Sequence, residues 1–456
     1  MLAIAATAIC CHAQLLLSLD DCLRIALDGN PTVKVADMEI ERADYSKYET
    51  LASLLPQAAF TGTYNRTLAK QVMYMNMDLG SLSGSTEEGG EEQAQSRAGG
   101  GNSSGGIKVG LDNSYQVGFS ASLPLIAPQL WASLKLSDSQ ILQSVEQARA
   151  SRLSLVNEVK NAYYTLLLAI DSRKVIQQSY DMAALTHDIY SKQYSLGAAS
   201  DYDVLRTSVA MKNVEPQLTQ ADIAIKQASL QLAILMGINA DQKIVPQDSL
   251  SRYQTDMYER ALALGSDYSG NSQLILNDLQ TRTLEQALKV QKAAWYPTLA
   301  ASASYSWTSM SNGSPFKNFR WTPYSMVGLS LNVPILTGGS RYAKIKQARI
   351  QLDEMKWQRD NLERSVANQV TLARDNINLN MQQIESTAQS VGQATRAHDI
   401  MAASFDIGAA SYLDLRDSEL ALTQSQLAYY QSIYNYLVAL SQLEYLQGSY
   451  QLPAAN

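Results

Sequence analysis

Two hydrophobic periods divide this chain. A period of two appears in four short runs. Phe60, Gly62, Tyr64 and Arg66 alternate with Ala59, Thr61, Thr63 and Asn65, and Tyr115, Val117, Phe119, Ala121 and Leu123 alternate with Gln116, Gly118, Ser120 and Ser122. Ala301, Ala303, Tyr305 and Trp307 oppose Ser302, Ser304 and Ser306, and a fourth run (VGLSLNVP, residues 327–334) repeats the second (VGFSASLP, residues 117–124). Such alternation predicts strands, here at about 58–67, 114–123, 299–308 and 324–333. An apolar face opposite a small polar one suits a barrel strand between lipid and water; a half-buried soluble hairpin reads the same way. Arg66, on the apolar face, fits a barrel only at its rim.

The rest of the chain follows a helical period. Residues 19–27 (LDDCLRIAL) form an amphipathic helix with Asp20 and Asp21 in its first turn, where the macrodipole favours them. A second helix is expected from about residue 32 to 54, ending before Pro56. No proline interrupts residues 129–196, so one helix of about 100 Å is expected there. A returning helix covers residues 201–236 with Pro216 as an expected kink, since proline removes an internal hydrogen bond. A second long helix covers 340–407, with Ile345, Leu352, Met355, Leu362, Val366, Val370, Ile377 and Ile384 among its apolar positions. A mean step of about 3.5 marks a coiled-coil-like seam. Its returning helix spans 412–446.

Each long helix ends in a similar stretch, YSLGAASDYDVL at residues 194–205 and FDIGAASYLDLR at 405–416. Gly197 and Gly408 can take the left-handed conformation that closes a helix, and Ser200 and Ser411 can cap the next one. The two tips stand 211 positions apart, as do Leu235-Met236-Gly237 and Leu446-Gln447-Gly448. Gly29-Asn30 and Gly270-Asn271 are 241 apart, as are Pro56 and Pro297, and residues 259–264 echo the first amphipathic helix. The offset falls to 210 between residues 117–124 and 327–334, so 31 additional positions fall in the first strand–strand connection, where residues 80–106 are Gly/Ser/Glu-rich. The chain therefore reads as two tandem repeats, 14–250 and 251–448, with a tail at 449–456.

Composition narrows the function. The net charge is −7, from 36 basic and 43 acidic residues, without a basic block, which argues against nucleic acid. Three histidines, no His/Cys cluster, no phosphate-cradling loop and no nucleophile elbow argue against an enzyme, and no cofactor or metal is expected. Met73, Met75 and Met77 alternate; methionine clusters can hold soft ions, or these pack at a strand end. The tract at 80–106 cannot bury a core and is expected to be a disordered loop. Residues 1–13 (MLAIAATAICCHA) read as a signal peptide cleaved after Ala13, or as a short buried segment. Lipid on Cys10 or Cys11 is a further option; cleavage after Ala13 leaves Cys22 as the sole cysteine and permits no intrachain disulfide. No apolar run reaches the length of about 18 residues that a membrane helix needs. A membrane crossing would then require a closed barrel, because lipid offers strand edges no hydrogen bonds.

Helix, strand, strand, very long helix, tip and returning helix, all twice, resemble the TolC-like outer-membrane efflux protein family over essentially the whole mature chain. The specific parts are the paired Gly-Ala-Ala-Ser tips, the Asp-Val-Leu and Asp-Leu-Arg that follow them, and Asn30-Pro31 near the front. The resemblance implies a membrane α+β fold and a homotrimer in the bacterial outer membrane with a large periplasmic portion. Four strands per chain would join a twelve-stranded β-barrel, and the long antiparallel helices would form a periplasmic α-helical barrel. Four strands are too few to enclose a channel alone, and closure removes their open edges. The implied function is the channel-tunnel of a tripartite efflux or type I secretion system, conducting passively. Its implied partners are a periplasmic adaptor (membrane fusion) protein, an inner-membrane RND or ABC transporter and outer-membrane lipid. The alternative is a periplasmic coiled-coil adaptor or scaffold without its own channel.

In that family the tips gate the periplasmic end and dock the adaptor. The resemblance assigns docking to Gly197, Ala198, Ala199, Ser200, Val204, Leu205, Gly408, Ala409, Ala410, Ser411 and Leu415. The family's two gate aspartates, three residues apart, match Asp414 and Asp417, and Asp203 is the first-repeat mate of Asp414. Phe405 and Ala410 stand where the family's type member closes its gate with a tyrosine and an arginine. Arg206, the mate of Asp417, offers a substitute lock if neighbouring tips pair the two. Aspartate is also favoured at helix starts on its own account. His187 and His398, each followed by aspartate (Asp188, Asp399), allow a pH-responsive band or plain helix packing.

Overall fold

The computed structural model describes residues 15–73, 107–239, 244–254, 265, 267–316 and 320–450. The expected leader at 1–13, the tract at 80–106, Met75, Met77, the helix at 259–264 and residues 451–456 lie outside the described residues. In chain order the elements are β1 (Leu15–Leu17), α1 (Leu19–Gly29), α2 (Pro31–Ala52), β2 (Gln57–Arg66), β3 (Gln71–Met73), β4 (Ile107–Val109) and β5 (Asn113–Ile126). They continue with α3 (Pro128–Ser195), α4 (Asp201–Met236), β6 (Ile244–Pro246), α5 (Ser272–Ala293), β7 (Thr298–Ser311), β8 (Thr322–Asn332), α6 (Ser340–Asp406) and α7 (Tyr412–Gln447). The chain divides into a helical unit (residues 1–47, 135–289 and 343–456) and a sheet unit (48–134 and 290–342).

The sheet unit is built on one antiparallel sheet in the order β2-β5-β7-β8. Its register sorts the side chains as the alternation requires. Phe60 pairs with Phe119 and Phe119 with Tyr305; Val117 pairs with Trp307 and Ala303 with Val327, all on one face. Thr61, Gly118 and Ser306 pair across the other face, as do Ser122, Ser302 and Gly328. Gly118 has a steric reason, since a Cβ there would lie 2.7 Å from the Ser306 Cα. Within the described residues β2 and β8 each have a strand on one side only. The apolar face is open, with Val327 85% exposed. The connections to α2, α3, α5 and α6 all leave from one end of this sheet.

The helical unit holds its core between the long helices. Tyr163, Leu166 and Leu167 of α3 are buried with Leu232 and Met236 of α4, Val366 of α6, and Ile433, Tyr436 and Leu437 of α7. Helix α1 starts on Ser18, which forms a capping box with Asp21, and buries Cys22, Leu23 and Ala26. A short parallel ladder pairs β1 with β6, Leu15 opposite Ile244. α3 and α6 run for 68 and 67 residues, and α4 and α7 for 36 each. α4 continues through Pro216 as one helix.

Two asparagines tie the short helices to the returning ones. Asn30 Nδ2 donates to the Leu235 carbonyl at 2.7 Å, and its Oδ1 accepts from the Thr32 amide at 2.7 Å. Asn271 does the same with the Leu446 carbonyl (2.7 Å) and the Gln273 amide (3.0 Å). The backbones meet at glycine pairs. A Cβ on Gly29 would lie 2.8 Å from the Met236 carbonyl oxygen, and one on Gly270 2.6 Å from that of Gln447. Their partners Gly237 (φ +68°) and Gly448 (φ +61°) close α4 and α7 in the left-handed conformation that glycine tolerates best.

Candidate functional site: the two helical tips

Each tip is a glycine turn followed by a capped helix. At the first, the Gly197 amide donates to the Tyr194 carbonyl (2.9 Å) and the Ala198 amide to Gln193 (2.8 Å). At the second, Gly408 donates to Phe405 (2.9 Å) and Ala409 to Ser404 (2.8 Å). Gly197 and Gly408 have φ of +75° and +73°. Ser200 Oγ then accepts from the Asp203 amide at 3.2 Å and donates to its carboxylate at 2.6 Å; Ser411 and Asp414 repeat this at 3.3 and 2.7 Å. These are capping boxes with aspartate as the third helical residue. The cap hydrogen bonds, that of the serine hydroxyl first, hold both carboxyls below the usual carboxylate range. Asp203 and Asp414 are therefore structural as well as charged.

Arg206 does not pair with Asp417 within the chain. Its guanidinium lies over the Tyr412 ring, 4.4 Å from the centroid, and 5.8 Å from that of Tyr202. A 3.7 Å ion pair joins it to Asp203, and its Nε is buried without a hydrogen-bond partner. Tyr412 is 6% exposed and meets Tyr190 edge-on at 5.8 Å, while Tyr190 tilts against Phe405 at 6.2 Å. One clasp thus takes a residue from each of α3, α4, α6 and α7. Burial pushes the Tyr190 and Tyr412 phenols up, keeping both rings neutral. Asp417 is exposed and makes no ion pair among the described residues.

Of the apolar tip residues, Leu196, Leu205, Ile407 and Leu413 are exposed, whereas Leu415 is buried at 6%. Ala198, Ala409, Ser200 and Ser411 are exposed; Ala199, Ala410 and Val204 are half-buried. Sequence reasoning missed Tyr190 and Tyr412; each follows no period, and only the arginine at position 206 hinted at an aromatic partner. The two histidines differ. His187 Nδ1 lies 3.1 Å from Thr207 Oγ1, whereas His398 Nδ1 is buried without a partner. No group of three His, Cys, Asp or Glu side chains converges as a metal site among the described residues.

The sequence model of the outer membrane efflux protein family matches residues 22–238 and 271–449. The chain belongs to that family. It is similar to outer membrane protein TolC of Escherichia coli, 24% identical over 325 residues that cover 66% of this chain and 65% of that protein. It is similar also to alkaline protease secretion protein AprF of Pseudomonas aeruginosa, 24% identical over 57% of this chain and 54% of that one. The chain spans just under two thirds of the length of the TolC relatives it matches. Among solved structures, the Campylobacter jejuni CmeC outer membrane channel superposes with a TM-score of 0.70 at 17% identity, covering 94% of this chain and 85% of that one. That likeness extends the family fold over both halves of the chain.

Proposed function

We propose that this chain is the outer-membrane channel-tunnel of a tripartite efflux or type I secretion system. The observation that carries the reading is the sheet. One face is apolar and open while the other is lined by Ser, Thr and Gly, as a strand between lipid and water requires. The single-sided edges of β2 and β8 support closure against other copies, three chains giving a twelve-stranded barrel from two tandem repeats per chain. The sheet carries the crossing, its strand edges satisfied by closure; no described helix is long and apolar enough to cross a membrane.

The long helices line the periplasmic tunnel, and residues 1–13 act as the leader that directs export. The tips form the gate and dock the adaptor, with the exposed Asp417 and the cap aspartates Asp203 and Asp414 as its carboxylates. The clasp of Arg206 on Tyr412 holds the two hairpins of a protomer together in the closed state. An inner-membrane transporter and its adaptor supply the substrate and the energy; this chain conducts. Single-channel recording of the purified protein in a planar bilayer tests the proposal: discrete conductance steps are expected, and their absence from a folded trimer would sink it.

A further inference from the structure

The described residues between β7 and β8, 312–316 and 320, fold back onto the apolar face of the sheet. Asn113 Nδ2 donates to the Gly313 carbonyl at 3.1 Å, the Phe316 amide to the Tyr115 hydroxyl at 2.9 Å, and the Arg320 amide to Ser309 Oγ at 3.0 Å. The Phe316 ring tilts against Tyr64 and Tyr115 at 5.4 and 5.7 Å. By register Tyr64, Asn113, Tyr115 and Ser309 all share the face of Phe60, Phe119 and Trp307. The fold-back explains why Asn113 and Ser309 are buried on an otherwise open surface. Phe316 keeps φ at +62° to make these contacts, a left-handed conformation that a non-glycine residue holds only when its surroundings fix it. Gly313, Phe316 and Arg320 are thus committed to the outer, lipid-side surface of the sheet and not to its polar face.

This rim lies at the end of the sheet opposite the helix connections. Lys70, Arg66 and Arg320 stand there. Lys70 is paired with Asp112 at 3.1 Å and with Asn312 at 3.2 Å. Arg66, on the apolar face by register, is exposed and acts electrostatically on the Asp112 carboxylate that Lys70 holds, while Arg320, anchored through its amide to Ser309, is exposed; neither makes a close ion pair among the described residues. Arg66 and the Ser309 that anchors Arg320 lie two strands apart and two residues offset along them, about 12 Å at ordinary strand spacing and rise. Guanidinium groups bind phosphate through paired N–H donors, and basic side chains at a membrane surface select anionic headgroups.

We infer that this rim binds a phosphorylated lipid of the outer leaflet. Arg66 and Arg320 each take a phosphate, and the Tyr64, Tyr115 and Phe316 rings form the shelf under its apolar part. The inference rests on the proposed placement of the sheet in the outer membrane. The test uses the full-length trimer in detergent, titrated with bis-phosphorylated lipid A and with the same lipid dephosphorylated, bound lipid being read by native mass spectrometry. The wild type should prefer the phosphorylated form at least tenfold, and Arg66→Gln with Arg320→Gln should abolish that preference. A preference that survives in the double variant, or a wild-type preference below about threefold, overturns the inference. Should the double variant not assemble, the wild-type ratio decides alone. Conductance steps are expected to be the same in both proteins, so a failed lipid preference leaves the channel reading standing.

Discussion

The guanidinium of Arg206 lies 4.4 Å from the centre of the Tyr412 ring, and through it the return helix of the first hairpin grips the start of the second. Tyr412 is almost fully buried, so the contact falls toward the upper part of the range of about 0.5–2 kcal/mol for such pairs. If it restrains the tips, Arg206→Ala and Tyr412→Leu should each raise the periplasmic-side conductance. The double variant should add little more, because both remove the same interaction. Tyr412→Phe keeps the aromatic face and should conduct like the wild type. Bilayer recordings of the four proteins check this, and a low conductance in Arg206→Ala would exclude the clasp as a lock.

Asp414 and Asp417 separate a structural carboxylate from an exposed one. Asp414 closes a capping box with Ser411, while Asp417 makes no ion pair among the described residues. Asp417→Lys should lower cation selectivity without changing thermal stability. Asp414→Lys should lower both, since the Ser411 amide and hydroxyl lose their acceptor. Reversal potentials in asymmetric salt, with melting curves on the same samples, distinguish the two outcomes.

The same caps carry a pH dependence of known sign. The folded-state carboxyls of Asp203 and Asp414 are held below the ordinary value, chiefly by Ser200 and Ser411. Their contribution is complete above the unfolded value of about 3.9 and is lost as pH falls through the lower folded value. Amide protection at residues 200–206 and 411–417 should therefore be flat from pH 5 to 8 and fall below pH 4. In Ser200→Ala with Ser411→Ala that acid-dependent fall should shrink.

The glycine–asparagine joints test the two halves against each other. Asn30 and Asn271 are buried and bond both a carbonyl and an amide. Truncation to alanine leaves those groups without partners, at about 1–3 kcal/mol each. Gly237→Ala should cost more, because it places a Cβ 2.7 Å from the Gly29 carbonyl oxygen at a φ of +68°. Thermal melts of the single variants check the order; an Asn30→Ala protein as stable as wild type would mean that water replaces the lost bonds.

Which of these features could be read beforehand depended on whether they were local. The four strands were legible because one face buries or greases every second residue, as in the run from Tyr115 to Leu123. The long helices and their glycine ends were legible because Gly197 and Gly408 each precede a serine cap and take the left-handed conformation that closes a helix. The capping role of Asp203 and Asp414 is written in the Ser-x-x-Asp spacing, the local signature of a capping box. The grip of Arg206 on Tyr412 joins residues distant in sequence and obeys no period. The β1–β6 and β3–β4 ladders are three residues per strand, too short for a pattern to show. The fold-back of the β7–β8 connection depends on single hydrogen bonds to Tyr115 and Ser309, which composition does not announce.

Cys22 reports on both the fold and the leader. It is fully buried in α1, and burial, with a lesser contribution from Asp21, pushes its thiol up to about 12. The thiolate is the reactive species, and an ordinary cysteine has a pKa of about 8.5. At pH 8 the thiolate population of Cys22 is therefore lower by a factor on the order of 10³, and steric access is closed as well. The folded protein should take up no maleimide within a time that fully labels a free thiol. Unfolding in guanidinium should then expose one reactive cysteine per chain if residues 1–13, with Cys10 and Cys11, have been removed. Intact-mass measurement after labelling counts the adducts. One adduct supports cleavage after Ala13, three would show the leader retained, and rapid labelling before unfolding would mean that α1 does not stay packed on the core.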